Sequence, residues 1–312
     1  MIEVKLFSSG DCQEWDNFVA NAKNGHFMFC RNYMDYHSDR FYDHSLMFTK
    51  GNKLVALLPA NMVEDTLFSH QGLTFGGIIS SSNMTSMLMI EIVDELINYL
   101  KTIKIKKLFY KHIPHIYSTL PAQEDIYALF NRGAKLARVD VSSTIDLKER
   151  LNFSTRRKRG VKKALNAELK ILKSSSFDDF YILLTTLLKS KYNTLPTHSL
   201  SDINLLASRF PKNIALYTTI DKNNTVLAGA LIFEMKHWVH AQYIVNSDRG
   251  KEVGALDLLF DQLINNVYVD KKFFDFGIST EVQGKVLNSG LITQKEEFGG
   301  RAVVQQFFEL EV

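Results

Sequence analysis

The chain has 312 residues, 46% of them hydrophobic, and a net charge of +3. That length points to about two domains, and the composition to a folded globular protein, not a disordered one. The charge is too slight to imply a nucleic-acid partner, and the two cysteines, Cys12 and Cys30, exclude a disulfide framework and a Cys-x-x-Cys metal knuckle.

The start, MIEVKLFSSG, lacks a basic segment followed by an apolar core, so no signal peptide is expected. No apolar run approaches the ~20 residues that span a bilayer. The expected location is the cytoplasm or the inner face of the membrane. The oligomeric state stays open.

Residues 11–20 read as a short helix with Trp15, Phe18 and Val19 on one face. Residues 25–36 are rich in aromatics (Phe27, Phe29, Tyr33, Tyr36), as core segments are. Two apolar runs, 45–49 and 54–62, flank Lys50-Gly51-Asn52-Lys53, a hairpin signal. Residues 67–79, LFSHQGLTFGGII, form a third strand-like run interrupted by glycines. Residues 84–102 have helical spacing: Met87, Ile90, Val93, Ile97 and Leu100 recur at threes and fours. A strand (107–110), a helix (124–132) and an alternating strand (137–145) close the first half.

The second half opens on the basic stretch 152–163, NFSTRRKRGVKK, with Ser154 or Thr155 placed to cap a helix. Arg156, Arg159 and Lys163 share one face of it, which suits an anionic partner; a solvated helix is the alternative. Amphipathic helices are expected over 177–191 and 201–209. Runs 214–220 and 226–235 flank Asp221-Lys222-Asn223-Asn224, a second hairpin signal, and 237–246 reads as a strand. The cleanest helix spans 252–267, with Leu256, Leu259, Phe260, Leu263 and Val267 on one side. The run Phe273-Phe274-Asp275-Phe276 then stops at Gly277 and opens onto Ser279, Thr280 and Glu281. Open α/β sheets bind ligands at such carboxyl ends. A polar segment of helical character leads to Lys295, and Phe298-Gly299-Gly300 feeds a final strand, 302–310.

The element order repeats at an offset of roughly 165 residues, which suits a duplicated domain. Residues 46–62 match 216–235, the helix at 84 matches that at 252, and Lys107-Leu108-Phe109-Tyr110 matches Lys272-Phe273-Phe274-Asp275. The expected architecture is α/β (α+β). It has an N-terminal domain, 1–150, and a C-terminal domain, 151–312, each a mixed, mostly antiparallel sheet flanked by helices.

Helices, a hairpin, a third strand, a helix from that strand's end, then a strand: this order resembles the GNAT acyltransferase fold. Two such domains in tandem resemble the Fem-type (FemABX-like) peptidyltransferases and their GNAT relatives in polysaccharide gene clusters. Phe274-Asp275-Phe276-Gly277 is similar to the family's Tyr/Phe-Asp-Phe-Gly strand end. Residues 295–300, KEEFGG, are similar to its Phe-Lys-x-x-Phe-Gly-Gly, with Gln294 where Phe is usual. Residues 69–77, SHQGLTFGG, are similar to a first-domain Ser-x-Pro…Tyr-Gly-Gly segment, with Gln71 in place of Pro. Residues 154–163 resemble the basic helix that opens the second domain.

The resemblance implies two tandem GNAT-like domains and an N-acyltransferase. The first choice of reaction moves acetyl from acetyl-CoA, or another acyl from its acyl-CoA, to an amine. The expected acceptor is a small or lipid-linked amine, namely an amino sugar of a cell-surface polysaccharide precursor. Aminoacyl transfer from aminoacyl-tRNA to a peptidoglycan precursor comes second, and a non-catalytic anion-binding module third. The coiled-coil arm of some Fem-type enzymes is missing, which counts against a tRNA donor. The family's Gln/Arg-x-x-Gly-x-Gly/Ala loop is replaced by residues 248–255, DRGKEVGA, with glycines at another spacing.

Within that loop Arg249, Gly250, Gly254 and Ala255 fit a coenzyme A pyrophosphate, because free N–H groups at a helix start attract phosphate; a loop whose glycines serve packing is the alternative. By resemblance Lys295 stabilises charge at the substrate site, and a cation beside a developing oxyanion suits acyl transfer; a surface lysine is the alternative. Histidine titrates near neutrality, so His70 can serve as general base for the amine; a core or surface histidine is the alternative. Arg156, Arg159, Thr74, Tyr243 and Glu281 are the expected substrate contacts. No metal is expected: Pro114 separates His112 from His115, and a spacing of three on a strand sends His237 and His240 to opposite faces. No Gly-x-Ser-x-Gly elbow, Walker loop or dinucleotide fingerprint occurs.

Overall fold

Left-handed turn residues close the hairpins at Gly51-Asn52 and at Asn224. The computed structural model describes residues 1–312, apart from the side chain of Tyr192. It divides into two compact units. Unit 1 comprises Met1–Asp140, Val282–Lys285 and Val304–Val312; unit 2 comprises Val141–Glu281 and Val286–Val303. The division drawn from the sequence, at residue 150, differs in returning none of the C-terminal strand to unit 1. That return is a strand pairing between residues about 200 apart, which local periodicity does not encode.

In unit 1, β1 (Ile2–Leu6) pairs with β2 (Leu46–Lys50), and β2 with β3 (Lys53–Leu58) around Gly51 and Asn52, both at positive φ. Pro59 has no N–H to give a ladder, so the run expected over 54–62 splits into β3 and β4 (Asn61–Val63). The expected third strand, 67–79, likewise splits into β5 (Thr66–Phe68) and β6 (Ile79–Ser80). His70 and Gly77, at φ 64° and 98°, turn the chain in between. β6 pairs with β3, β5 lies parallel to β7 (Lys107–Lys111), and β7 takes up the end of β16 (Arg301–Glu311). Helices α1 (Cys12–Asn21) and α2 (Arg31–Met34) lie before β2. α3 (Ser86–Thr102) carries the chain from β6 to β7, and α4 (Glu124–Asn131) follows. α3 buries Met89, Ile92, Val93, Leu96 and Leu100; Met87 of the expected stripe is 69% exposed. Apolar residues on neighbouring ridges of one helix make its buried stripe ambiguous from spacing alone.

In unit 2, β8 (Lys135–Asp146) contributes its residues from Val141 on. After it come α5 (Thr155–Asn166), β9 (Lys170–Ser174), α6 (Asp178–Tyr192) and α7 (Leu200–Arg209). Then come β10 (Ile214–Ile220), β11 (Val226–Glu234) and β12 (Trp238–Asn246). The single helix expected over 252–267 is instead α8 (Asp248–Val253), α9 (Ala255–Gln262) and a π-helical turn, Leu263–Val267. Gly254, at φ 77°, breaks it. β13 (Phe273–Ile278) follows, then a small hairpin, β14 (Thr280–Glu281) and β15 (Val286–Leu287), where helical character was expected, and α10 (Ser289–Glu296). Val282, Gln283 and Gly284 all take positive φ, which turns the hairpin. The strands pair in the order β8-β13-β12-β11-β10-β9, antiparallel except for β12 with β13.

α9 supplies the centre of the unit 2 core. Phe260 is 1% exposed and meets Phe274, Phe276 and Phe298 edge-on at 5.0–6.0 Å between ring centroids. Burying each such ring stabilises by about 1.5–3 kcal/mol. Among the described residues, no helix is long and apolar enough to cross a membrane.

Candidate active site

The parallel pair β12/β13 stays in register for only three residue pairs, Trp238 to His240 against Phe273 to Asp275. Beyond them the ladder ends, while β12 runs on to Asn246 and β13 to Ile278. Two paired strands that lose their ladder leave a wedge with backbone on both sides. Here the wedge is the wall of a 710 Å³ cavity lined by residues 241–246, Phe276 and Ile278. Leu184, Leu187 and Leu188 of α6 and Leu256 and Phe260 of α9 supply apolar surface, and Gln294 and Lys295 of α10 line it too. That size is typical of small-molecule sites.

β12 also carries a bulge in this wall. Ala241 faces Ile232 and Tyr243 faces Leu231, so Gln242 is an extra residue with no opposite number on β11. Bulges re-aim side chains and free a backbone group beside active sites. The Gln242 Oε1 atom is buried without a hydrogen-bond partner.

At the foot of the wedge Asp275 is fully buried. The Ser142 and Thr144 hydroxyls donate to its Oδ1, at 2.5 and 2.7 Å. The Gly277 N–H donates to Oδ2 at 3.0 Å, and His240 Nδ1 lies 2.6 Å from the same oxygen. This carboxylate thus ties β8, β12 and the end of β13 together. It also sets the turn at Gly277, whose φ of 76° favours glycine.

The same turn holds Lys295. Its ammonium donates to the carbonyls of Gly277 (2.8 Å) and Ile278 (2.7 Å). A lysine has three donors, so one remains for the cavity. The residue is 4% exposed. Burial pushes its pKa down to about 8, against the pull of the Asp275 charge. A cation is therefore fixed in a partly dry pocket by backbone carbonyls rather than by a counter-charge in contact.

Beside it, Arg157 is buried between two carboxylates, Asp257 and Glu297, each at 2.7 Å, and stacks over Phe298 at 4.7 Å. Burial raises the Asp257 carboxyl above its ordinary value and Arg157 pulls it back. The lining also includes Arg156, Lys191 and Lys251, all three exposed.

No protein-family model and no curated protein matches the sequence. Solved structures do match. FemX is 10% identical over 99% of this chain and 97% of its own, with a TM-score of 0.68. L-PGS from Bacillus licheniformis is 11% identical, covers 96% and 91% of the two chains and has a TM-score of 0.64. A tandem GNAT protein from the clavulanic acid biosynthesis pathway is 10% identical, covers 100% and 98%, and has a TM-score of 0.56. The chain has a tandem GNAT fold. This is the fold that the element order and the Phe-Asp-Phe-Gly strand end led us to expect, and FemX shares it.

Within the tandem GNAT fold, the expected site residues separate. Lys295, Arg156 and Tyr243 line the cavity. The Tyr243 hydroxyl lies 2.7 Å from His198 Nδ1 and accepts the His198 N–H at 3.3 Å, which straps the loop before α7 to β12. Arg159 is exposed on α5 and Glu281 is exposed on β14, where it accepts from Asn288 at 2.7 Å; neither lines the cavity. Thr74 and His70 belong to unit 1. His70 is 2% exposed, stacks on His37 at 5.1 Å and accepts the Gly72 N–H at Nδ1. Burial pushes its pKa down to about 3. Those surroundings do not make a base that takes up a proton near neutrality.

Arg249 and Gly250 lie in the first turn of α8 and Gly254 and Ala255 at its joint with α9, all four off the cavity lining. Arg249 is exposed and pairs with Glu252 at 3.0 Å. The Gly250 N–H is already capped by Ser247, and a Cβ at Gly250 would lie 2.3 Å from Asn246 Oδ1 and 2.5 Å from the Leu227 carbonyl. A Cβ at Gly254 would lie 2.3 Å from the Gly160 carbonyl on α5. Ala255 is fully buried, and its carbonyl accepts from Thr219 at 3.1 Å. Both glycines are thus required by chain packing. Gly254→Ala is expected to destabilise unit 2 by about 1–3 kcal/mol, through backbone overlap and a left-handed φ. Urea unfolding measures it; an unchanged midpoint would contradict this packing.

Proposed function

We propose that the chain transfers an acyl group from an activated donor to an amine. One observation carries this reading: the wedge between β12 and β13 has the Gln242 bulge in its wall and the pinned ammonium of Lys295 at its side. In such a transfer the amine nitrogen bonds to the carbonyl carbon. The C–S bond of a thioester, or the C–O bond of an ester, then breaks, and the nitrogen gives up a proton. Negative charge passes through the carbonyl oxygen, and groups oriented beforehand stabilise it most. Lys295 is such a group, and the bulge frees backbone beside it.

The first reading of the donor is acetyl or another acyl group as its coenzyme A thioester. The acceptor is then an amino sugar of a cell-surface precursor. A second reading, aminoacyl transfer from tRNA to a peptidoglycan-type amine, is favoured by one observation: Gly250 and Gly254 are taken up by packing, not left open to a pyrophosphate. Incubation with acetyl-CoA or with charged tRNA, with glucosamine and a peptidoglycan precursor as amines, separates the two by mass spectrometry. Transfer from neither donor to either amine would sink the proposal.

The state of Lys295 gives a pH dependence. The ammonium is the working form, so turnover is expected to hold below its pKa of about 8 and to fall as pH rises through it. Stability moves the other way. An unfolded lysine keeps its proton up to 10.5, so from about 8 to 10.5 the unfolded chain binds more protons. The Lys295 contribution to stability therefore grows with pH in that window. Rate profiles and unfolding midpoints across pH 7–10 check both signs against Lys295→Met.

A further inference from the structure

We propose that the cavity holds a phosphate or pyrophosphate group of its ligand between the side chains of Arg156 on α5, Lys191 on α6 and Lys251 on α8, and not at the glycine-bearing turn 250–254. The biological role of this anchor rests on the proposed acyl transfer. Its location does not.

The charges lining the cavity make the case. They are Arg156, Arg157, Lys191, Lys251, Lys295 and Asp257. Asp257 is spent on Arg157, which Glu297 also holds. Lys295 is spent in part on two carbonyls. The outer cations are poorly matched. Arg156 reaches Glu297 at 3.6 Å, a carboxylate already bound at 2.7 Å by Arg157, and its charge also acts on Asp257. Lys251 pairs with Asp248 one helical turn away, with the two side chains 47% and 95% exposed. Such surface pairs contribute little and exchange readily for a better anion. Lys191 lines the same cavity as Lys251, and its charge also helps lower the Asp248 carboxyl that Lys251 holds. A cluster of like charges that the flanking carboxylates only partly cancel, on the lining of a cavity that also has leucine surface, favours an anion with several oxygens.

Two features narrow the anion. Three separate cations exceed what one carboxylate uses, whereas a phosphate or pyrophosphate presents enough oxygens for all of them. The Leu184, Leu187 and Leu188 side chains then receive a less polar part of the same molecule. The glycine turn is not a rival. The Gly250 N–H is capped by Ser247, and Gly254 packs on Gly160. Arg156, Lys191 and Lys251 come from three helices that are remote in sequence, so the cluster forms no motif.

Titration calorimetry of the full chain with sodium pyrophosphate and with ADP, at low and moderate salt, tests the anchor. Arg156→Glu and Lys191→Glu are each expected to weaken binding at least about tenfold, in line with lost charge-assisted contacts. Lys222→Glu, a charge reversal on the exposed β10/β11 turn, should leave it unchanged. Binding should weaken with salt. All three positions are exposed, and circular dichroism confirms that each variant is folded. No binding by the wild type overturns the proposal. So does equal binding by all variants, or binding lost on Gly250→Ala but kept in the charge reversals. Competition by coenzyme A or by a UDP-sugar then tells whether the phosphate belongs to the donor or the acceptor. Acyl transfer with an unchanged KM in Arg156→Glu/Lys191→Glu would overturn the anchor alone. Pyrophosphate binding without any transfer would overturn the reaction alone.

Discussion

Lys295→Met is expected to lower turnover about 100- to 1000-fold, the loss seen when one preorganised oxyanion donor is removed. Met follows the path of the lysine stem and removes the charge. The side effects on folding oppose each other. The carbonyls of Gly277 and Ile278 lose their donor, while a buried ammonium no longer has to be held out of water. Lys295→Arg should not restore turnover, because a planar fork does not fit a pocket cut for a point charge that is 4% exposed. Steady-state kinetics together with melting curves decide it. Wild-type turnover in a folded Lys295→Met protein would remove Lys295 from the chemistry.

Asp275→Ala is expected to destabilise unit 2 by about 3–5 kcal/mol, the range for breaking a buried charged network at one partner. Four groups lose their common acceptor: the hydroxyls of Ser142 and Thr144, the Gly277 N–H and His240 Nδ1. None of the residues that carry them is left in water, because Asp275 is fully buried and Ser142, Thr144 and His240 are nearly so. Asp275→Asn keeps one carbonyl acceptor and should cost less. Urea unfolding with linear extrapolation reads both, and a loss for Asp275→Ala below about 1 kcal/mol would show that the network carries little. Because the Gly277 turn also presents the carbonyls that hold Lys295, Asp275→Asn should lower turnover beyond its effect on stability.

Much of the fold was legible because its signals are local. Gly51-Asn52 and Asn223-Asn224 mark hairpins, Ser154 caps α5, and the apolar run 273–276 reaches a glycine one residue before the end of β13. The departures have local explanations that spacing under-weighs. Pro59 cuts one strand, and Gly254 divides one helix. The candidate site was less legible. The motif before Phe298-Gly299-Gly300 points to Lys295, which lines the cavity. No motif points to the Gln242 bulge, because a bulge is a mismatch of register between two strands and neither sequence contains it. His70 looked like a base in a glycine-rich loop, yet burial against His37 makes it a core imidazole.

The sequence by itself determined the repeated order of elements, the apolar run that leads to the Gly277 turn, the lysine of the later Gly-Gly motif and the basic helix. Each depends on residues within a turn or two of one another. Only the tertiary structure decided where β12 and β13 part, and which glycines are spent on packing. It alone brought Arg156, Lys191 and Lys251 to one cavity, and paired the last strand with β7. These depend on register and packing between segments far apart in the chain, and periodicity along the chain does not carry that information.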